Sequence, residues 1–187
     1  MGRRLEPILG ILALLIFGGL LSVPAAAAFR ANVTRADGFS PRQVQRVVVA
    51  TRQCHEVVDC SAMEQRVVGE MLELGVPFAV VAESRVRKHL FEQGTLEYVV
   101  EQRQSLADAF EADAVLELAV PFAERGDGFG GRRRSSVKVE IFLLRPDGEL
   151  LLHGVGTGRP LNVVSGPERV TGNVVETILR KAFGSGG

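Results

Sequence analysis

Val47-Val48-Val49 restricts the fold more than any other feature of the sequence. Three β-branched residues in a row, inside the β-rich stretch Val44–Thr51, leave a strand with no polar face. Such a strand must be covered on both sides, as parallel strands between layers of helices are. The residues that follow supply those helices. Met63, Val67, Met71 and Leu74 recur at helical spacing. Ser61 with Glu64 reads as a capping box, and Gly75 stands where a helix-ending glycine belongs, so a helix is expected over 61–74. Pro77 precedes a second short buried strand, Phe78-Ala79-Val80-Val81. Ser84 is expected to cap the next helix, with Val86, Leu90 and Phe91 on one face and Gly94 as its stop. Leu96, Val99 and Val100 suggest a further helical stretch, which Leu106 and Phe110 carry to about Glu111.

The second half of the chain turns antiparallel. Ala114–Phe122 reads as a third strand, and the Gly- and Arg-rich segment 124–134 as a loop. Val137, Val139 and Ile141 alternate with polar neighbours. Arg145-Pro146-Asp147-Gly148 is a turn, and Glu149–Val155 returns as the partner strand. Gly154-Val155-Gly156-Thr157-Gly158-Arg159 has the glycine density of a phosphate loop. It lacks the Lys-Ser/Thr pair, and no helix opens directly after it, so it reads as a flexible strand exit. Ser165 and Pro167 open a last helix with Val170, Val174, Ile178 and Leu179 on its buried stripe, extended by Phe183 and ended by Gly184. The order is β-α-β-α-α-β-β-β-α. It implies the α/β (α+β) class, a mixed sheet of about five strands packed with three to four helices. One domain, 44–183, is expected between a polar arm, 29–43, and a short tail, 184–187.

The hydrophobic share of 46% is unevenly distributed. Arg3 and Arg4 precede an apolar run from Ile8 to Leu21, followed by Pro24 and Ala25–Ala28. This is the three-part pattern of a secretory signal over 1–28, with cleavage expected between Ala28 and Phe29. A retained anchor is the alternative, although the run reaches the roughly 20 residues of a span only if Pro24 and the alanines are counted. No cysteine stands at the cleavage point, so a lipoprotein is not expected. Export would place the chain in the periplasm, with membrane contact only through the leader or at the periphery.

Charge is balanced, 22 basic against 22 acidic residues, which argues against nucleic acid as a partner. Both cysteines, Cys54 and Cys60, lie in the exported part. In an oxidising space a disulfide is the leading reading; free thiols, or metal ligation by Cys54, His55 and Cys60, are the others.

Several pieces together carry a resemblance. They are Val47-Val48-Val49, a helix ending at Leu74-Gly75, and Phe78-Ala79-Val80-Val81-Ala82-Glu83-Ser84-Arg85 followed by Leu90-Phe91-Glu92-Gln93. Ala112-Asp113-Ala114-Val115-Leu116 and Val137–Leu144 with Asp147-Gly148-Glu149 at the hairpin tip complete the set. Over about 44–183 the chain resembles the envelope superfamily of CsgG-like secretion proteins, LpoB-like activators, PelC-like polysaccharide export proteins and the TolB N-terminal domain. The resemblance implies a non-catalytic periplasmic module that binds an envelope protein partner or forms a homo-oligomer. It would support secretion, polysaccharide export or cell-wall synthesis. One fold uses the whole exported chain, leaving no hairpins for a pore.

The residues themselves offer little chemistry. His55, His89 and His153 show no triad, and Glu64, Glu70 and Glu73 read as a solvated helix face. No catalytic, cofactor or metal residue is assigned. Arg132, Arg133 and Arg134 form a fixed cationic cluster, read either as a solvated loop beside the hairpin or as a contact for phosphates, an anionic polymer or an acidic partner. The alternative is a small hydrolase or ligand-binding enzyme, with a site at the strand ends near His55 that also uses Glu83 and Arg85.

Overall fold

The computed structural model describes residues 28–126, 135–160 and 165–184. Among these residues six strands form one mixed sheet: β1 (Ala28–Arg35), β2 (Arg46–Gln53), β3 (Ala79–Val80), β4 (Ala114–Glu124), β5 (Ser136–Leu144) and β6 (Leu150–Arg159). Four helices pack on it: α1 (Cys60–Glu73), α2 (Glu83–Glu92), α3 (Arg103–Ala109) and α4 (Pro167–Phe183). The strands lie in the order β1-β6-β5-β4-β2-β3. β2 runs parallel to β3 and β4, while β4, β5, β6 and β1 pair antiparallel.

The valine run does what its composition demands. Val47 and Val49 join the core beneath α1 and α4, and Val48 and Ala50 join a second core beneath α2 and α3. Asp113, just before β4, sets the register: its carboxylate accepts from the Gln45 amide at 2.8 Å and the Arg46 amide at 2.9 Å. That pins the start of β2 beside the start of β4, and it explains the Ala-Asp-Ala sequence leading into that strand.

The strand count differs from the five expected. Residues read as a polar arm supply β1, which pairs along its length with β6. Phe29, Ala31 and Val33 pack against the main core while Arg30, Asn32 and Thr34 face outward. The alternation is genuine, but arginine, asparagine and alanine make a weak strand signal without a partner.

The glycine stretch after Val155 is also strand, not a flexible exit: β6 continues to Arg159. Gly154, Gly156 and Gly158 all face α4. A Cβ on them would come within 2.3 Å of Ile178 Cγ2, 2.5 Å of Val174 Cγ1 and 2.5 Å of Val174 Cγ2, respectively. The three glycines are a groove into which the valine and isoleucine ridge of α4 sinks.

Helix starts shift slightly. Asp59, not Ser61, caps α1, accepting from the Ala62 amide at 3.0 Å. Ala82 precedes α2, and Ser84 lies inside it. Residues 96–99 are not helical; a 3-10 turn at Val100–Gln102 leads into α3. Gly75 and Gly94 end α1 and α2 with φ of +62° and +75°, a backbone geometry that favours glycine.

Candidate functional site

A cleft of about 340 Å³ opens at the carboxyl end of β2, between the start of α1, the Val86-Arg87-Leu90 side of α2 and the segment Leu96-Glu97-Tyr98. Cys54 and Cys60 form a disulfide at its rim, tying the end of β2 to the first turn of α1. Both sulfurs are consumed in that bond, which removes the free-thiol and metal-ligand readings of the pair. Among the described residues no group of three or more His, Cys, Asp or Glu side chains could hold a metal. Closing so short a loop stabilises by about 2 kcal/mol. Reduction with dithiothreitol is therefore expected to lower the urea midpoint; an unchanged midpoint would show that the clip is energetically idle.

Beneath the cleft lies a charged cluster. Glu117 of β4 is fully buried. Its Oε1 accepts from the Tyr98 hydroxyl at 2.5 Å and from Arg103 Nε at 2.7 Å. Arg52, on the cleft wall, stands 3.7 Å from Oε2. Burial, reinforced by the bond to Glu117, raises the Tyr98 pKa well above that of an ordinary phenol, so the hydroxyl stays a donor. Burial is the strongest single influence and works against the Arg103 charge, yet the Glu117 hydrogen bond and negative charge, with a smaller contribution from Tyr98, together outweigh it and raise the pKa. The bond to Glu117 holds Tyr98 inward, within a stretch, 96–99, that is not helical. Its sequence signal is a lone carboxylate in the apolar strand Ala-Val-Leu-Glu-Leu-Ala-Val, which sequence reasoning passed over.

The same row of the sheet continues outward. Arg52 sits over the Phe142 ring at 5.2 Å, and Phe142 stacks on His153 at 4.5 Å. His153 lies 3.4 Å from Glu140, which Lys138 meets at 2.5 Å. The Lys138 hydrogen bond is the main reason the Glu140 pKa falls below the usual carboxylate value.

The residues considered for an enzyme are not brought together. His55 lies in the turn after β2 with Nδ1 buried and unpaired. Glu83 pairs with Arg87 and meets Gln65, and Arg85 stands over Phe110 at 5.5 Å. Among the described residues no hydrogen bond or ion pair joins any two of these three. His89 packs edge-on against Phe110. Glu64 pairs with Arg87 at 3.6 Å rather than with another carboxylate. Arg132, Arg133 and Arg134 lie outside the described residues, as does the leader up to residue 27; Ala28 and Phe29 begin β1.

No family model and no curated protein matches the sequence. Solved structures do match the fold. The chain is similar to the PelC dodecamer from Paraburkholderia phytofirmans at 18% identity and TM-score 0.58, over 83% of this chain and 98% of that one. It is also similar to the lipoprotein GNA1162 from Neisseria meningitidis at 19% identity and TM-score 0.50, over 76% of this chain and 99% of that one. The fold is thus the PelC-type mixed α/β sheet that the sequence resembles. No helix among the described residues is long and apolar enough to cross a membrane.

Proposed function

We propose that the chain is an exported, non-catalytic module of the cell envelope that works by assembling with copies of itself, in support of polymer export. The observation that carries this reading is the shared fold: at TM-score 0.58 it extends over 98% of a chain whose structure is a dodecamer, rather than over one motif alone. The site supports it too. The most deeply buried charge among the described residues, Glu117, is occupied by Tyr98 and Arg103 and serves as a structural anchor.

The reading is tested on the full-length chain expressed in a Gram-negative host and recovered from the envelope fraction. Amino-terminal sequencing should begin at Phe29, and light scattering should give a mass several times that of one chain. An uncleaved cytoplasmic product, or a strict monomer at high concentration, would defeat it.

A further inference from the structure

Among the described residues two surfaces of opposite character are left unpartnered, one an edge of the sheet and the other a segment carried over it. The first is the free edge of β1. The Ala36 amide donates to the Leu151 carbonyl at 3.0 Å. Antiparallel alternation from that pair directs the backbone groups of Arg30, Asn32 and Thr34 to β6, and those of Phe29, Ala31 and Val33 to the open side. Lys181 reaches round to the Ala31 carbonyl at 3.0 Å, which covers one of these groups. The opposite edge is different. β3 has two residues, and α1 and α2 meet beside it through Glu64–Arg87 at 3.6 Å and Gln65–Glu83 at 3.5 Å. β1 contains two arginines and no acidic residue, and exposed Arg30 has no side-chain partner among the described residues.

The second surface is the segment Phe91–Glu101, carried over β2 and β4 by the buried Tyr98. It holds Glu92, Glu97 and Glu101 and no basic residue. Glu97 and Glu101 have no side-chain partner among the described residues. The segment also presents the two most exposed large apolar side chains among the described residues, Leu96 at 82% and Phe91 at 70%, together with Val99 at 48%. Scattered single apolar residues need no explanation, but three along one acidic segment form a patch suited to a partner.

We propose that copies of this chain pack head to tail, the acidic and apolar Phe91–Glu101 segment of one copy seated against the basic free edge of β1 in the next. The occupant is a second copy because each surface supplies what the other lacks: unpaired arginine and open backbone groups on one, unpaired carboxylates and exposed apolar side chains on the other. β1 is the outermost strand on one side of the sheet, whereas Tyr98 seats the Phe91–Glu101 segment over β2 and β4 toward the other, so the two surfaces lie apart on one copy. A heterologous contact pairs opposite charges and propagates into a ring or a filament. The proposal rests on the self-assembly reading above and names the surfaces it uses.

The test is charge reversal in the full-length chain, purified from the envelope and followed by light scattering and sedimentation. Arg30→Glu, and separately Glu97→Lys with Glu101→Lys, should each raise the concentration for half-assembly at least about tenfold. Mixing the two variants should restore assembly, since native and reversed contacts then alternate and both are complementary. A misfolded variant would not be rescued by mixing. If the wild type assembles and either variant does so at the same concentration, or if mixing fails to rescue, these surfaces are wrong while self-assembly stands. A wild type that remains monomeric overturns both.

Discussion

Replacing Glu117 by alanine is expected to cost about 3–5 kcal/mol, the range for breaking a buried ion pair from one side. The loss is large because of what remains behind. Arg103, with its side chain 13% exposed, would keep its charge without the carboxylate that offsets its desolvation. The Tyr98 hydroxyl, 2.5 Å from Oε1, would lose its acceptor. Removing both sides should hurt less than the single changes predict: Glu117→Leu with Arg103→Leu replaces the pair by apolar volume. The coupling between positions 117 and 103 should then be favourable by more than about 1 kcal/mol in a double-mutant cycle read by urea denaturation. Additive effects would mean that the pair is incidental. A second readout follows from the position of Tyr98. Without its anchor, Leu96–Val99 should lose amide-exchange protection before the sheet does.

Gly156→Val is expected to destabilise by about 1–3 kcal/mol through overpacking. Its new Cβ would stand 2.5 Å from Val174 Cγ1 and 2.9 Å from Ile178 Cδ1, so α4 must rise off β6. The cost would spread, because α4 is anchored to β1 as well: Arg35 Nη2 donates to the Ala182 carbonyl at 2.7 Å. Val174→Ala in the same chain should recover part of the loss by giving the added methyls room. Thermal melts of the two variants and the double variant decide it; a Gly156→Val protein as stable as the wild type would show that the glycines are not there to admit the helix.

These two sites mark where sequence reading stops. The valine run was legible because a strand with no polar face has one solution, cover on both sides. The paired core residues of α1 and α4 were legible for a similar reason, since their spacing repeats at the helical period. Gly75, Gly94 and the turn at Gly148 were legible because positive φ selects glycine locally. The strand character of Ala28–Arg35 was not, since its modest alternation gains weight only from pairing with β6. The glycines of β6 were misread because glycine signals freedom in isolation; that three of them face one helix depends on a contact made across the sheet.

The candidate site followed the same division. Two cysteines six positions apart, behind a leader that reads as an export signal, pointed to the disulfide by chemistry alone. Glu117 was visible as a letter, but its partners come from residues 14 and 19 positions earlier, brought beneath it by α3 and the turn before it. The sequence by itself determined the class of fold and the boundaries set by glycine, because each depends on local composition or period. Tertiary structure alone decided that the apparent arm is an edge strand, that the glycines receive a helix, and that one buried carboxylate holds the cleft floor. Each of those depends on which distant segments meet, and pairwise contact energies enter only once the chain has closed.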